Sequence, residues 1–284
     1  MMAEIFAMSR ASLRRLLLRP RFFVSLVLAL GCVLIAYTQS LPYVAERGYQ
    51  LQAVEPFLLL LPSTFPQLLL LISFLLLAGD IPFLYPGLEV TAIRSSKRKW
   101  LAAQILAALG AAVLWLLLVF VFTLLIFVGH LSLKNEWSLL VKGLARSQMN
   151  ATESIGMWTV DTPGVELIAK STPYVRFAEA FLFEALLFCS MSLWALAFNL
   201  WTRRSYGCML TVAYWVLDRG VFELELRFQR DMTVISPFSL VDLSHMPLTL
   251  SRAVYIAAFF FAQISVLWLL SALRLRRTDL AKPE

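Results

Sequence analysis

Residues 80–100 read DIPFLYPGLEVTAIRSSKRKW and separate two long apolar runs, 57–79 and 101–128. Each run exceeds the roughly 20 apolar residues that cross a bilayer as an α-helix. The basic residues of the loop come directly before the second run, and basic residues at the end of a membrane span mark its cytoplasmic side. The stretch therefore predicts a helical hairpin in the membrane whose tip faces the cytoplasm.

The loop has features of an ordered segment as well as of a connector. Pro82, Pro86 and Gly87 punctuate it, and residues 88–93 are enough for one or two helical turns. One interpretation is a docking element for a soluble cytoplasmic partner. The other is a topology anchor, because any cytoplasmic loop beside a span carries such basic residues. The loop by itself leaves both interpretations open.

The composition of the chain sets its class. The 284 residues are 60% hydrophobic, with a mean hydropathy of +0.76. A soluble domain with this balance would leave large apolar surfaces in water. The cysteines, Cys32, Cys189 and Cys208, all lie in apolar runs and show neither metal-binding nor disulfide spacing. The sequence therefore predicts a polytopic membrane protein.

The hydropathy pattern predicts an all-α fold with a single transmembrane domain over residues 1–284. An amphipathic helix is expected on the membrane surface at 1–21, because apolar residues share one face and arginines lie elsewhere. No convincing cleavage site follows the first apolar run, which favours a retained span over a signal peptide. The predicted transmembrane helices are at about 22–40, 57–79, 101–128, 177–200, 205–222 and 252–273. Pro62 and Pro66 predict a kink in the outer half of the second.

Two segments are predicted outside the membrane on the side opposite the cytoplasm. Residues 129–176 form an outer loop with an amphipathic helix at the membrane surface. Its apolar residues recur at helical spacing: Trp137, Leu140, Val141 and Leu144. Residues 223–251 contain an apolar run that Pro237 and Pro247 interrupt, so it is too broken to cross. We expect it to fold back as a re-entrant hairpin packed against protein.

The charges orient the predicted spans. Segments predicted to be cytoplasmic hold 15 basic and 5 acidic residues, a net charge of +10, against −3 for the remainder with its 10 basic and 13 acidic residues. Six spans with both termini in the cytoplasm place every basic cluster on one side. The positive charge thus orients the protein and contacts anionic lipid, so no nucleic-acid partner is needed to explain it.

Catalytic and cofactor motifs are absent from the sequence. The two histidines show no HExxH spacing, and neither GxSxG nor GxxxxGK[ST] occurs, so no metal, catalytic or nucleotide site is predicted. Ionisable residues inside spans are functional candidates by default, which singles out Glu179 and Glu184 for the transport path or for packing between spans. The alternative for Glu184 is a carboxylate near the outer headgroups, paired with Arg176 or a neighbouring helix.

The whole layout resembles the permease subunit of an ABC transporter, in particular the type-2 exporter class of bacterial six-span permeases. The segment GDIPFLYPGLEVTAIRSSKRKW, at 79–100, is similar to the loop that such permeases carry after their second span. After its first glycine, it begins with the pattern acid-x-Pro-Phe, and it ends with the pattern Arg-Ser/Thr-x-[RK]-x-[RK]-Trp. The segment ISPFSLVDLS, at 235–244, is similar to the one before their last span. The resemblance covers the layout of nearly the whole chain.

The resemblance implies that the loop forms a coupling helix seated in a cleft of a separate ATPase subunit. The residues implied in this helix are Pro86, Gly87, Leu88, Glu89, Val90, Thr91, Ala92 and Ile93. ATP and Mg²⁺ would then bind that partner, and this chain would be neither an enzyme nor the holder of a cofactor. A second permease chain, identical or related, would complete the path through the plasma membrane.

Two other classes of function stay open. One is a polytopic membrane enzyme that uses Glu179, Glu184 or His245 on a lipid or a peptide. The other is an accessory or immunity protein without transport activity. An ATPase gene beside this one would favour the permease, whereas loss of function only on carboxylate or histidine substitution would favour the enzyme. The sequence does not indicate which substrate is carried.

Overall fold

The computed structural model of the protein describes residues 2–38, 40–79, 81, 96–146, 163–202, 206–228, 236–243 and 248–277. Their helices are α1 (Met2–Leu17), α2 (Pro20–Tyr37), α3 (Ser40–Arg47), α4 (Glu55–Leu60), α5 (Thr64–Ala78), α6 (Lys97–Ile126), α7 (Leu139–Ala145), α8 (Val165–Lys170), α9 (Pro173–Thr202), α10 (Gly207–Phe228), α11 (Pro237–Val241) and α12 (Leu250–Arg277). Two short parallel strands, β1 (Leu51–Gln52) and β2 (Leu131–Ser132), pair with each other. The fold is therefore almost entirely helical.

Helix starts follow local signals in the sequence. Pro20 occupies the first position of α2, where its missing N–H is not needed and its fixed φ suits a helix. The side chain of Ser96 caps α6 by accepting a hydrogen bond from the backbone N–H of Lys99 at 3.3 Å. Because of this cap, α6 begins four residues before the predicted start of the third span, at 101. Residues 97–100 are thus helical, which corrects the predicted loop boundary.

The second predicted span, 57–79, is broken. Its apolar run forms α4, which ends at Leu60, and α5, which begins at Thr64. Pro62 lies between them, where its ring and missing N–H prevent a continuous helix. The 15 residues of α5 extend about 22 Å at 1.5 Å per residue, short of a ~30 Å hydrocarbon core. The helix is therefore interrupted around Pro62, in the outer half where a kink was predicted.

Helices α2 and α5 pack side by side in opposite directions. The Ser25 hydroxyl donates to the carbonyl oxygen of Ser73 at 2.7 Å, and the Ser73 hydroxyl donates back to the carbonyl oxygen of Ser25 at 2.6 Å. Further along, the Cys32 thiol lies 3.5 Å from the carbonyl oxygen of Pro66. Small side chains that exchange hydrogen bonds let two apolar helices approach closely without water. This pair is the first antiparallel hairpin of the bundle.

Helix α9 is the central element of the bundle. It packs against α4, α5, α6, α10, α11 and α12. In its most apolar stretch 72% of the residues are buried, against 22% for α12 and 33% for α2. Side chains that face other helices rather than the surroundings explain why polar residues are tolerated along α9.

One end of the bundle, named here the Asn199 end, gathers the ends of five helices. The side chain of Asn199, in the last turn of α9, bonds to Gly79 after α5 and to Gly207 at the start of α10. The Lys97 ammonium, at the start of α6, donates to the carbonyl oxygen of Leu275 near the end of α12 at 2.9 Å. Helices α5, α9 and α12 therefore end where α6 and α10 begin.

The opposite end is named here the Glu55 end. The Tyr37 ring, at the end of α2, packs edge-on against Phe127 after α6, with ring centroids 5.0 Å apart. The Trp137 indole N–H, before α7, donates to the carbonyl oxygen of Ser171, just before α9, at 2.7 Å. Helices α2 and α6 thus end where α9 begins. The predicted amphipathic segment forms α7, whose Leu140 and Val141 are buried in the protein.

Helix α1 runs along the first half of α6. The Lys99 ammonium pairs with the Glu4 carboxylate at 2.7 Å. Leu13, nine residues further along α1, lies so close to α6 that a Cβ on Gly110 would approach its Cδ1 to 2.8 Å. The residues that α1 buries are Ser9, Ser12 and Leu16. The N-terminal helix is thus anchored on the bundle, and its predicted position at the membrane surface stays a prediction.

Within the described ranges, four helices are long and apolar enough to cross a bilayer: Pro20–Tyr37, Lys97–Ile126, Pro173–Thr202 and Leu250–Leu275. A shorter apolar helix covers Phe65–Ala78. Long apolar helices that satisfy their own backbone groups are one of the two structures that can span lipid. The predicted class is therefore confirmed: the chain is an all-α multi-pass membrane protein.

Candidate functional site

A buried asparagine joins three chain segments at the Asn199 end. The Nδ2 amide of Asn199 donates to the carbonyl oxygens of Gly79, at 2.8 Å, and Ile81, at 2.7 Å. Its Oδ1 accepts a hydrogen bond from the backbone N–H of Gly207 at 2.7 Å. Backbone groups in an apolar bundle need an internal partner, because no water is available there. Asn199 supplies it for the chain after α5 and for the start of α10.

Two glycines bring the same segments into direct contact. A Cβ on Gly79 would lie 1.7 Å from the Cys208 sulfur, and a Cβ on Gly207 would lie 2.4 Å from the carbonyl oxygen of Ala195. Any larger residue would force these backbones apart. The contact between α5, α9 and α10 at this end therefore depends on glycine at both positions.

The predicted coupling residues, Pro86, Gly87, Leu88, Glu89, Val90, Thr91, Ala92 and Ile93, lie outside the described residues. The structure describes the residues on both sides of this segment, Ile81 and Ser96. Ile81, fully buried, is bonded to Asn199, and Ser96 and Lys97 follow at the capped start of α6. The residues that flank the segment 82–95 are therefore held at the Asn199 end of the bundle.

At the opposite end, the carboxylate of Glu55 connects the chain before α4 to the chain before α7. One oxygen accepts a hydrogen bond from the backbone N–H of Gln52 at 2.8 Å, and the other accepts one from the backbone N–H of Ser138 at 2.6 Å. Glu55 is fully buried in the first turn of α4, where the helix dipole favours negative charge. The residue holds the β1–β2 pair and the start of α7 together.

Glu55 is expected to give this end a pH-dependent stability. Burial raises the pKa of Glu55 to about 6 from an ordinary 4.5, although hydrogen bonds from Ser138 and Gln52 oppose the shift. An acid whose pKa is raised in the folded state contributes its stability at low pH and loses it as pH rises, here between about 4.5 and 6. The difference is about 2 kcal/mol at 1.36 kcal/mol per pH unit.

The measurement is the thermal unfolding midpoint of the purified protein between pH 4.5 and 7, followed by tryptophan fluorescence. Glu55→Gln should have a lower midpoint at low pH, since a side-chain amide cannot accept at both positions. The midpoint of the variant should also fall less as pH rises than that of the wild type. Parallel pH profiles for the two proteins would contradict the assignment to Glu55.

A small cleft with a cavity volume of ≈ 40 Å³ lies at the Glu55 end between α4, α8, α9 and the chain around α11. Its walls are mainly apolar side chains, among them Leu58, Leu61 and Leu167. Arg176 and Glu184 contribute charge to it from α9. A cavity of this volume has room for only a few water molecules.

The two predicted acidic residues of α9 differ in their partners. The Glu179 carboxylate pairs with the Arg176 guanidinium at 2.7 Å, and that guanidinium also donates to the carbonyl oxygen of Leu243. Glu184 is 3% exposed, and its Oε2 has no hydrogen-bond partner in the described part of the chain. Arg176 therefore pairs with Glu179, one turn further along α9.

Residues of α10 connect it to its neighbours at this end. The Ser236 hydroxyl donates to the Asp218 carboxylate at 2.7 Å and caps α11 by accepting from the backbone N–H of Ser239 at 3.1 Å. The Arg219 guanidinium donates to the side-chain oxygen of Gln67 on α5. Helix α10 continues to Phe228, beyond the predicted end at 222, because a helix keeps its own backbone groups bonded. Residues 223–228, predicted to belong to an outer hairpin, are therefore helical.

Neither Asn199 nor Glu55 was given a role from the sequence. For Asn199 a usable signal existed, since a single amide in an apolar run commonly bonds across helices. The pairing of Glu55 with Ser138 joins residues that are distant in sequence, and no local pattern indicates it. His245, a candidate of the enzyme interpretation, lies outside the described residues.

Nothing in the described ranges points to a metal centre, since no three histidine, cysteine or acidic side chains there are grouped closely enough to hold an ion. Comparison with known proteins found no matching family model, no matching curated protein and no matching solved structure.

Proposed function

We propose that the chain is the permease subunit of an ATP-driven exporter in the plasma membrane. In this proposal it pairs with a second permease chain and takes its energy from a separate ATPase subunit that binds ATP and Mg²⁺. The observation that carries the proposal is the anchoring of the segment 82–95, which resembles the coupling loop of type-2 exporters. The residues on either side of it, Ile81 and Lys97, are held at the Asn199 end.

The contacts of Asn199 suggest how such a loop would transmit movement. The carbonyl oxygen of Ile81, at the start of the loop, is bonded to Asn199 on α9, and Asn199 is bonded in turn to Gly207 on α10. A displacement of the loop by a closing ATPase would therefore move α9 and α10 together. This is a rigid-body transition, in which packed elements move as a unit rather than deform.

We infer six crossings of the membrane from the same contacts. Helices α2, α5, α6, α9, α10 and α12 run alternately between the Asn199 end and the Glu55 end, with residues 57–60 of α4 extending the crossing of the short α5. The basic residues at the Asn199 end, such as Lys97 and Lys99, favour the cytoplasmic side for this end. Both termini then lie in the cytoplasm, and a re-entrant outer hairpin precedes α12.

The orientation is tested by labelling single cysteines, in a background without the three native ones, with an impermeant thiol reagent. In intact cells, cysteine at position 153 should react, whereas cysteine at positions 97 and 284 should react only after the cells are opened. A cysteine at 245 should behave like the one at 153, because the hairpin is proposed to lie outside. Labelling of position 97 in intact cells, with 153 protected, would reverse the topology.

The function is tested by co-expression with the ATPase encoded beside this gene, if there is one. The permease proposal predicts that the tagged chain, extracted from membranes in a mild detergent, brings down the ATPase in a stable complex. Recovery of the chain alone, in a preparation that is folded by gel filtration, would contradict the proposal.

A further inference from the structure

We propose that the cleft at the Glu55 end is a hydration site, in which bound water is the hydrogen-bond partner of Glu184. Water enters the cleft from this end of the bundle and reaches a carboxyl group that lies inside the apolar helix α9. The site goes beyond the exporter proposal, because hydration of the cleft needs neither an ATPase subunit nor transport. Its place at the end opposite the segment 82–95 makes the two proposals independently testable.

The volume of the cleft suits water and excludes larger ligands. The cavity volume is ≈ 40 Å³. A water molecule needs roughly 10–15 Å³ by this measure, so the cleft has room for about three molecules. The cleft is also partly open at the surface of the protein, so water can enter it without any opening of the bundle.

One face of α9 forms a wall of the cleft. Arg176, Ala180 and Glu184 line it at intervals of four residues, which places their side chains on the same side of the helix. At a rise of 1.5 Å per residue, the stretch from Arg176 to Glu184 extends about 12 Å along α9. Leu61 and Leu167 line the cleft from the chain after α4 and from α8. The cleft therefore leads from the first turn of α9 inward to Glu184.

The carboxyl group of Glu184 gives this cleft a polar atom that needs a partner. Glu184 is 3% exposed, and its Oε2 has no hydrogen-bond partner in the described part of the chain. A buried polar atom of this kind is costly unless it is hydrogen-bonded. Buried water typically bonds to such atoms and makes about three hydrogen bonds per molecule. Arg176 and Asp242, which line the same cleft, supply further polar groups for these bonds.

The charges around the cleft favour a neutral ligand over an ion. The carboxylates of Glu184 and Asp242 are offset by two guanidinium groups, that of Arg176 in the cleft wall and that of Arg219, which is close enough to act on Glu184. Because both signs are equally represented, neither a cation nor an anion is attracted by a net charge. Water both donates and accepts hydrogen bonds, so it can bond to groups of either sign.

The test is radiolytic footprinting of the purified chain in lipid nanodiscs. A short X-ray pulse produces hydroxyl radicals from water, bound water included, and these radicals oxidise the side chains beside it. Peptide mass spectrometry then measures the oxidation of each residue. Leu167 lines the cleft and Leu70 does not, yet they are 2% and 1% exposed, so bulk water reaches both equally little. We expect Leu167 to be oxidised and Leu70 to remain unmodified.

Four variants identify what holds the water. Glu184→Met replaces the carboxyl group by an unbranched apolar chain and should lose the oxidation of Leu167. Glu184→Gln should keep it, because a side-chain amide also bonds to water. Ala180→Val adds carbon atoms to the wall of the small cleft and should lose the oxidation too. Ala178→Val, at an exposed position of the same helix, should react like the wild type.

Equal protection of Leu167 and Leu70 in the wild-type protein would overturn the proposal. Oxidation of Leu167 at the wild-type rate in Glu184→Met or in Ala180→Val would do the same, as would its loss in Glu184→Gln or in Ala178→Val. If Glu184→Met does not fold, as judged by gel filtration, the two valine variants still decide. None of these results bears on the association with an ATPase, because the assay contains none.

Discussion

Leu88→Asp is expected to reduce recovery of an ATPase subunit by at least about tenfold, while the chain still inserts and reaches normal abundance. Leu88 is apolar, yet it lies in a segment predicted to face the cytoplasm, between Gly87 and Glu89. A docked helix would bury it in the cleft of a partner, which is worth ~1.5–3 kcal/mol. Aspartate would remove that burial and place an unpaired charge against the partner.

Arg98→Ala is the matched control for this change. Arg98 lies in the first turn of α6, where its side chain is exposed, so its charge serves orientation more than contact with a partner. Affinity-tagged wild type and both variants are co-expressed with the ATPase, and the recovered ATPase is quantified per mole of chain. If the loop were only a topology anchor, Arg98→Ala would cause the larger change and Leu88→Asp would recover the ATPase like the wild type.

Asn199→Leu is expected to destabilise the bundle by about 3 kcal/mol or more, since each buried polar group left without a partner costs ~1–3 kcal/mol. Leucine has the same branched shape, with as many side-chain heavy atoms, but would leave the carbonyl oxygens of Gly79 and Ile81 and the N–H of Gly207 unsatisfied. The purified variant should unfold at a lower temperature than the wild type, and its recovery of the ATPase should fall because the start of the coupling segment is released.

Gln104→Leu provides the comparison for the asparagine. Gln104 is also buried, in α6, but its side-chain oxygen has no hydrogen-bond partner in the described part of the chain. Replacing it by leucine should therefore change the unfolding temperature much less than Asn199→Leu does. Equal effects of the two substitutions would show that Asn199 contributes only as a buried polar residue and does not join three segments.

The helices of the bundle were predictable because their signals are local. Apolar length identified the runs that became α2, α6, α9 and α12, and Pro20 and Pro173 stand where helices begin. The prolines in 57–79 predicted a kink. The apolar run continues past Pro62, however, so its hydropathy gave no indication that the helix ends there. The start of α6 was missed because basic residues suggested a loop, whereas Ser96 caps a helix that includes them.

The candidate sites were less predictable because their partners are distant in sequence. The acid at 184 was noticed from its place in an apolar run, but the sequence does not indicate that Glu179 engages Arg176 or that Oε2 of Glu184 has no hydrogen-bond partner in the described ranges. The pairing of Glu55 with Ser138 spans 83 positions, and it forms only after the two chain segments have packed. Sequence patterns thus indicate which polar residues are unusual, while the folded arrangement determines what each of them binds.

The most direct test of the exporter proposal is photocrosslinking from position 88 in native membranes. A photo-activatable phenylalanine analogue is placed at position 88 and, as a control in the predicted outer loop, at position 153. Illumination is followed by peptide mass spectrometry of the crosslinked chains. The proposal predicts that position 88 becomes joined to a chain that carries GxxxxGK[ST], and that position 153 does not. Crosslinks from position 88 to lipid alone, with no nucleotide-binding chain attached, would contradict it.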